Sequence, residues 1–322
     1  MALTPLASGV GTANAVPAPA TGKRIGGPTP STEKLQPPLP PPDGKVDHML
    51  LPPRSSSPST LALPTDSIRR MMKRDFEKGR QVAGSPEARA ETQFQARVEV
   101  ENDHFRQFTT CVNKGAHACE ASWNGGPMVE PIQGVVDRLA ATWNPGHPYP
   151  LDVTVMNDPV ENAFSVGGGQ IVVNLGLLED GPGGARNEHE LAFIMAHELA
   201  HEFHQDRAGM QQAVDGINGK IDEFNGKHEP ADHITPVSPV VTDIYEIKDE
   251  ISRTYEAEAD ATALRMMSRA GFDPEQAVAW FRRHPADAGG GSHPQVVDRI
   301  AAAEAQIERE GLMEVYRQNR RP

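Results

Sequence analysis

His197 and His201 stand four residues apart inside the run Ile194-Met195-Ala196-His197-Glu198-Leu199-Ala200-His201-Glu202-Phe203. Leu191, Ile194, Met195, Leu199 and Phe203 recur near helical period, and Asn187 with Glu190 three residues later has the form of a capping box. The segment is therefore predicted to be a buried helix even before its histidines are considered. On such a helix, positions i and i+4 share a face one turn apart, so both imidazoles can reach one tetrahedral metal. Glu198 then sits beside the metal's water, where a general base is needed.

The neighbouring pattern predicts what this helix packs against. Met128 to Trp143 reads as an amphipathic helix with Ile132, Val135, Val136, Leu139 and Trp143 inward. Leu151-Asp152-Val153-Thr154-Val155 alternates as a strand does, and Gln170-Ile171-Val172-Val173-Asn174 follows the Gly167-Gly168-Gly169 turn as a second strand. A small sheet packed on a helix with this motif is the layout of a zincin. The expected class is α+β and mainly helical, with the catalytic domain over 128–310 and a C-terminal tail over 311–322.

Two histidines leave a zinc site one protein ligand short. A third His six residues past the second is excluded, because Arg207 stands there. His204 lies two turns beyond His197, roughly 10 Å along the axis, too far to share its metal. The downstream segment Glu256-Ala257-Glu258-Ala259-Asp260 is the better source. Glu256 and Asp260 are i and i+4 on one helix, so Glu256 can bind the metal while Asp260 hydrogen-bonds the outer N–H of a ligand histidine. Glu258 is the competing ligand, but with Glu258 on the metal Asp260 is badly placed.

With these residues in hand, the chain resembles the gluzincin metallopeptidases of the HtpX and type I CAAX prenyl protease family (metallopeptidase family forty-eight), in its soluble bacterial BepA/LoiP-like branch. The likeness runs over roughly 128–305. It includes Asn162-Ala163-Phe164, Gly168 to Val173, Gly176-Leu177-Leu178, Ala270-Gly271-Phe272-Asp273-Pro274 and Ser292-His293-Pro294 with Arg299. It implies a gluzincin fold, one Zn2+ held by His197, His201 and Glu256, and protein or peptide substrates. It also implies that His293 and Arg299 lie near the metal, where either can stabilise an oxyanion or His293 can occupy the open zinc position and keep the enzyme latent. Two departures stand out: Asp206 where relatives commonly carry a further His, and Val166-Gly167-Gly168 in place of Pro-Gly-Gly. The segment 209–250 is polar, unlike the apolar spans of membrane-embedded members.

Composition bounds the rest. Pro37-Pro38-Leu39-Pro40-Pro41-Pro42, Pro52-Pro53 and Ser55-Ser56-Ser57-Pro58 punctuate a stretch too poor in apolar residues to offset its ordering entropy, so 1–65 is read as a disordered leader. Ala13-Asn14-Ala15 has the form of a signal-peptidase site, without the basic region of a complete signal. A net charge of −13 argues against a nucleic-acid partner. No run reaches the length of a membrane span. Cys111 and Cys119 are read either as a short disulfide loop, which fits an oxidising compartment, or as two free thiols. The expected location is accordingly periplasmic or secreted, with the cytoplasm as the alternative. The 66–127 segment is expected to be helical. Its basic stretch around Ile68, Met72 and Phe76 is read as docking on the next domain, with peripheral membrane contact as the alternative.

The expected chemistry is peptide hydrolysis in unfolded or misassembled proteins, with Glu198 taking a proton from water activated by zinc. Gly169, Gln170, Ile171, Val172, Val173 and Asn174 are the expected edge to which an extended substrate adds as a strand. The alternative is a latent or gated protease acting mainly as a chaperone through the same edge.

Overall fold

The computed structural model describes residues 64–83, 85, 88, 91–100, 102, 122–143, 150–179, 181, 183–236, 238–283 and 292–320. The expected leader therefore falls outside the described residues except for Pro64 and Thr65, and so does the pairing of Cys111 with Cys119. In chain order the elements are α1 (Thr65–Ala83), α2 (91–100), β1 (Ser122–Trp123), α3 (Glu130–Trp143), β2 (Asp152–Met156), β3 (Ala163–Gly167) and β4 (Gln170–Asn174). They continue with α4 (Glu188–His204), α5 (Asp206–Asn225), α6 (Pro239–Arg269), α7 (Glu275–Phe281), α8 (Val296–Arg309) and α9 (Leu312–Asn319). The described chain is mainly helical around one small sheet, the α+β class that the sequence pattern indicates.

The sheet order is β1-β2-β4-β3, with β4 parallel to β2 and antiparallel to β3. This corrects one expectation. Gln170, Ile171, Val172, Val173 and Asn174 form an inner strand hydrogen-bonded on both sides, and Gly169 sits in the turn before it, so none of them offers a free edge. Among the described residues, the open edge beside the metal helix belongs to β3. The reason was present in the pattern: Ile171-Val172-Val173 is continuously apolar because both faces are covered, the mark of a central strand. Ile171 and Val173 join the main core with α3 and α4, while Val172 packs with Ala96 and Val100 of α2 on the other face.

Local sequence sets the two ends of α4. Asn187 Oδ1 accepts from the His189 and Glu190 N–H groups, while Glu190 reaches back to the Arg186 N–H at 2.8 Å. The helix ends at Gln205, a non-glycine residue in the left-handed region, and α5 begins on the next residue. Across the sheet, Gly167, Gly168 and Gly169 all have positive φ, and a Cβ on Gly168 would come within 2.7 Å of Gln93 Cα. Only glycine lets this turn lie against α2.

The apolar face of α1 is buried. Ile68, Met72 and Phe76 pack with Ala213 and Ile217 of α5 and Ile247 and Ile251 of α6. Each such burial contributes roughly 1.5–3 kcal/mol, which membrane contact through this face would forfeit. At the other end, Leu312–Asn319 of the segment read as a tail forms helix α9, and Leu312 belongs to the main core. No helix among the described residues is long and apolar enough to cross a membrane.

Candidate metal centre

Helix α4 carries His197, Glu198 and His201 on the face turned to α6 and β3, and α6 supplies Glu256. The His197 and His201 Nε2 atoms are 3.0 Å apart. Glu256 Oε2 is 3.2 Å from His197 Nε2, and Oε1 is 3.6 Å from His201 Nε2. Ligands bound tetrahedrally at about 2.0–2.1 Å sit about 3.3 Å from one another, so these separations suit one zinc ion. Among the described residues this is the group of acidic and imidazole side chains close enough to share a metal. Among the described residues the buried Glu256 Oε2 has no hydrogen-bond partner, which leaves an acceptor for a cation. The donor set fits zinc.

The outer nitrogens are fixed as well. His197 Nδ1 lies 2.9 Å from Asp260 Oδ1, and His201 Nδ1 lies 2.9 Å from Asp206 Oδ2. A carboxylate only accepts, so each Nδ1 carries the proton and each Nε2 lone pair faces the centre. Arg299 forks onto Asp260 with two bonds of 2.7 Å. The guanidinium expected to face an oxyanion is thus engaged behind His197. Glu258, the competing ligand, is half exposed and pairs with Arg80 at 3.4 Å. His204 is removed from the centre and has Thr262 as a neighbour at 3.4 Å.

Buried acidic groups shape the electrostatics. Burial opposes charge on His197, yet the carboxylates of Asp260 and Glu256 outweigh it and raise its pKa to about 10. Burial pushes Glu256 the other way from its partners, but His197, His201 and His293 bring it down to about 2. Burial likewise opposes charge on Asp260, and Arg299 with His197 holds it well below the usual carboxylate range. This is a site built to hold positive charge. Glu198 differs: burial raises its pKa, only partly offset by the two histidines, which suits a proton acceptor.

The cleft over these residues encloses about 710 Å³. β3 lines one wall through Ala163, Phe164 and Ser165, and Met210, Val214 and Tyr255 line another. The Ser165 N–H donates to Glu198 Oε2 at 2.9 Å, and the Ser165 hydroxyl donates to Glu202 Oε2 at 3.1 Å. Glu202 also accepts from the Gly169 N–H at 2.9 Å, tying the three-glycine turn to α4. His293 stands at the rim, its Nε2 3.6 Å from Glu256 Oε2 and its Nδ1 3.0 Å from Ser292 Oγ. Sequence reasoning missed Ser165, Glu202 and Asp206. Glu202 had a usable signal, a carboxylate on the apolar side of a buried helix; Ser165 had none.

A sequence pattern described as peptidase family M48 matches residues 129–307, more than half of the chain. The chain belongs to this peptidase family. Family M48 membership brings zinc as the metal for the His197, His201 and Glu256 group. The chain is 27% identical over 162 residues to a putative beta-barrel assembly-enhancing protease of Vibrio cholerae, covering 48% of this chain and 32% of that protein. It is 28% identical over 174 residues to the mitochondrial metalloendopeptidase OMA1 of Arabidopsis thaliana, covering 52% of this chain and 34% of that protein. The matches span about a third of each of these relatives.

Proposed function

We propose that the protein is a zinc-dependent metalloendopeptidase that cleaves extended segments of unfolded or misassembled proteins. The observation that carries this reading is the buried His197, His201 and Glu256 group with Glu198 beside it, held by the Ser165 N–H of the edge strand. Zinc, when bound, supplies a Lewis acid that acidifies water to a pKa near 7 and polarises the scissile carbonyl. Glu198 Oε2 is steadied by Ser165, which leaves Oε1 to take the proton and return it to the leaving amine. Asp260 and Arg299 hold His197 in the tautomer that presents Nε2.

The edge of β3, not β4, is the surface to which an extended chain adds, since it borders the cleft and, among the described residues, has no sheet partner on its outer side. Main-chain pairing of this kind selects for extended backbone more than for particular side chains, as quality control of unfolded proteins requires. The relative named as a putative beta-barrel assembly-enhancing protease supports a substrate met during protein assembly; we place the protein in the periplasm or outside the cell. The decisive experiment is metal analysis beside casein cleavage by the wild type and Glu198→Gln. The expected result is one zinc in both and cleavage in the wild type alone; near-normal cleavage by the variant removes Glu198 from the mechanism.

One observation favours a second reading, a latent enzyme that acts mainly as a chaperone. His293 Nε2 is close enough to Glu256 to share its metal and close the open position. Casein cleavage that appears only when His293 is replaced would select it.

A further inference from the structure

His201 and Asp206 are five residues apart, which on an unbroken helix would leave them about 140° apart around the axis. They meet because the chain leaves α4 at Gln205, with φ 60° and ψ 37°, and restarts as α5 at Asp206. The left-handed residue turns the Asp206 carboxylate back to within 2.9 Å of His201 Nδ1. Asp206 is 2% exposed. Among the described residues its Oδ1 receives no hydrogen bond, but Arg80 Nε lies 3.3 Å away, with its N–H directed to the His204 carbonyl at 2.8 Å. The contact is one of charge. A buried carboxylate is costly unless a cation compensates it, and Arg80 is that cation.

Arg80 comes from α1, outside the family-matched region. It reaches Asp206 because α1 and α5 cross backbone to backbone. A Cβ on Gly79 would come within 2.5 Å of Ala208 O, and one on Gly209 within 2.9 Å of Arg80 Cγ and of the Phe76 ring. The guanidinium is steadied further by the Phe76 ring, 5.3 Å from its carbon, and by Glu258.

Resting on the zinc reading above, we propose that Asp206, buttressed by Arg80 of α1, is the positioning residue for His201, taking its Nδ1–H and aiming its Nε2 at the metal. Each ligand histidine is then backed by a carboxylate paired with an arginine, Asp260 with Arg299 and Asp206 with Arg80. The second pair makes α1 part of the metal centre.

The test is zinc affinity, measured on the full chain by competition with a chromophoric chelator, with folding checked by circular dichroism. Asp206→Ala is expected to weaken zinc binding about 10–100-fold, and Asp206→Asn, whose Oδ1 still accepts from Nδ1–H, to recover most of that loss. Arg80→Met is expected to weaken binding in the wild-type background but to add less than about twofold on top of Asp206→Ala, because the two act through one contact. Asp206→Ala binding zinc as the wild type does overturns the proposal, and equal effects of Arg80→Met in both backgrounds overturn the role of Arg80. If Asp206→Ala does not fold, Arg80→Met and Asp206→Asn carry the test, and unchanged affinity in Arg80→Met overturns the buttress. His201→Ala is the reference: wild-type zinc binding there sinks the metal-site reading itself, a different outcome from failure of Asp206 alone.

Discussion

Arg299 grips Asp260 through both carboxylate oxygens at 2.7 Å, and Asp260 in turn holds His197 Nδ1 at 2.9 Å. All three side chains are nearly buried. A planar guanidinium matches both carboxylate oxygens at once, which an ammonium cannot do. Arg299→Lys should therefore weaken zinc binding several-fold, less than the roughly 10–100-fold typical of a partner that touches a ligand histidine directly. Turnover lost with zinc affinity unaltered would return Arg299 to the oxyanion role.

Glu198→Gln should retain zinc and fold, and lose peptide hydrolysis by about 10²–10⁴-fold, the usual contribution of a positioned base. The amide still accepts from the Ser165 N–H, so the edge strand keeps its place. Metal content and kcat measured on one preparation check this; normal kcat would move the base elsewhere.

Glu256→Ala should release zinc, while Glu258→Ala should leave it bound. Glu256 is buried against both histidine Nε2 atoms, whereas Glu258 is half exposed and faces Arg80. The pair is best read by metal analysis after dialysis, and loss of metal from Glu258→Ala would contradict the assignment of Glu256.

His293→Ala should raise cleavage of an unfolded substrate with zinc retained. Its side chain is 53% exposed and comes within 3.6 Å of Glu256, so it can cover the centre and withdraw from it. A fall of roughly 10²-fold with zinc retained would instead identify an oxyanion stabiliser. The measurement is initial rate against zinc content.

Gln205→Val should destabilise the fold by about 1–2 kcal/mol or more, because a β-branched side chain resists the left-handed conformation that ends α4. Gln205→Gly should be tolerated, since glycine adopts it freely. Thermal melts of zinc-loaded protein compare the two; a shift of about 2–4 °C in Tm per kcal/mol is expected for a domain of this size. Equal Tm values would remove Gln205 as the constraint that sets Asp206 against His201.

The sequence by itself determined the metal helix, its cap at Asn187, the strands at 151–155 and 170–174, and the pairing of Glu256 with Asp260 at helical spacing. These are local: each depends on the 3.6- or 2-residue period, or on a side chain binding a backbone group three positions away. Tertiary structure decided the rest. Which strand owns the free edge depends on sheet order, and a continuous apolar run such as Ile171-Val172-Val173 records burial on both faces without naming its neighbours. Arg299 binds Asp260 from 39 residues away, and Arg80 approaches Asp206 across a glycine crossing between helices far apart in the chain. Asp206 meets His201 only because one residue between them turns left-handed, a backbone conformation that glutamine does not announce. Such contacts arise from how elements pack, and no periodicity within a single element encodes them.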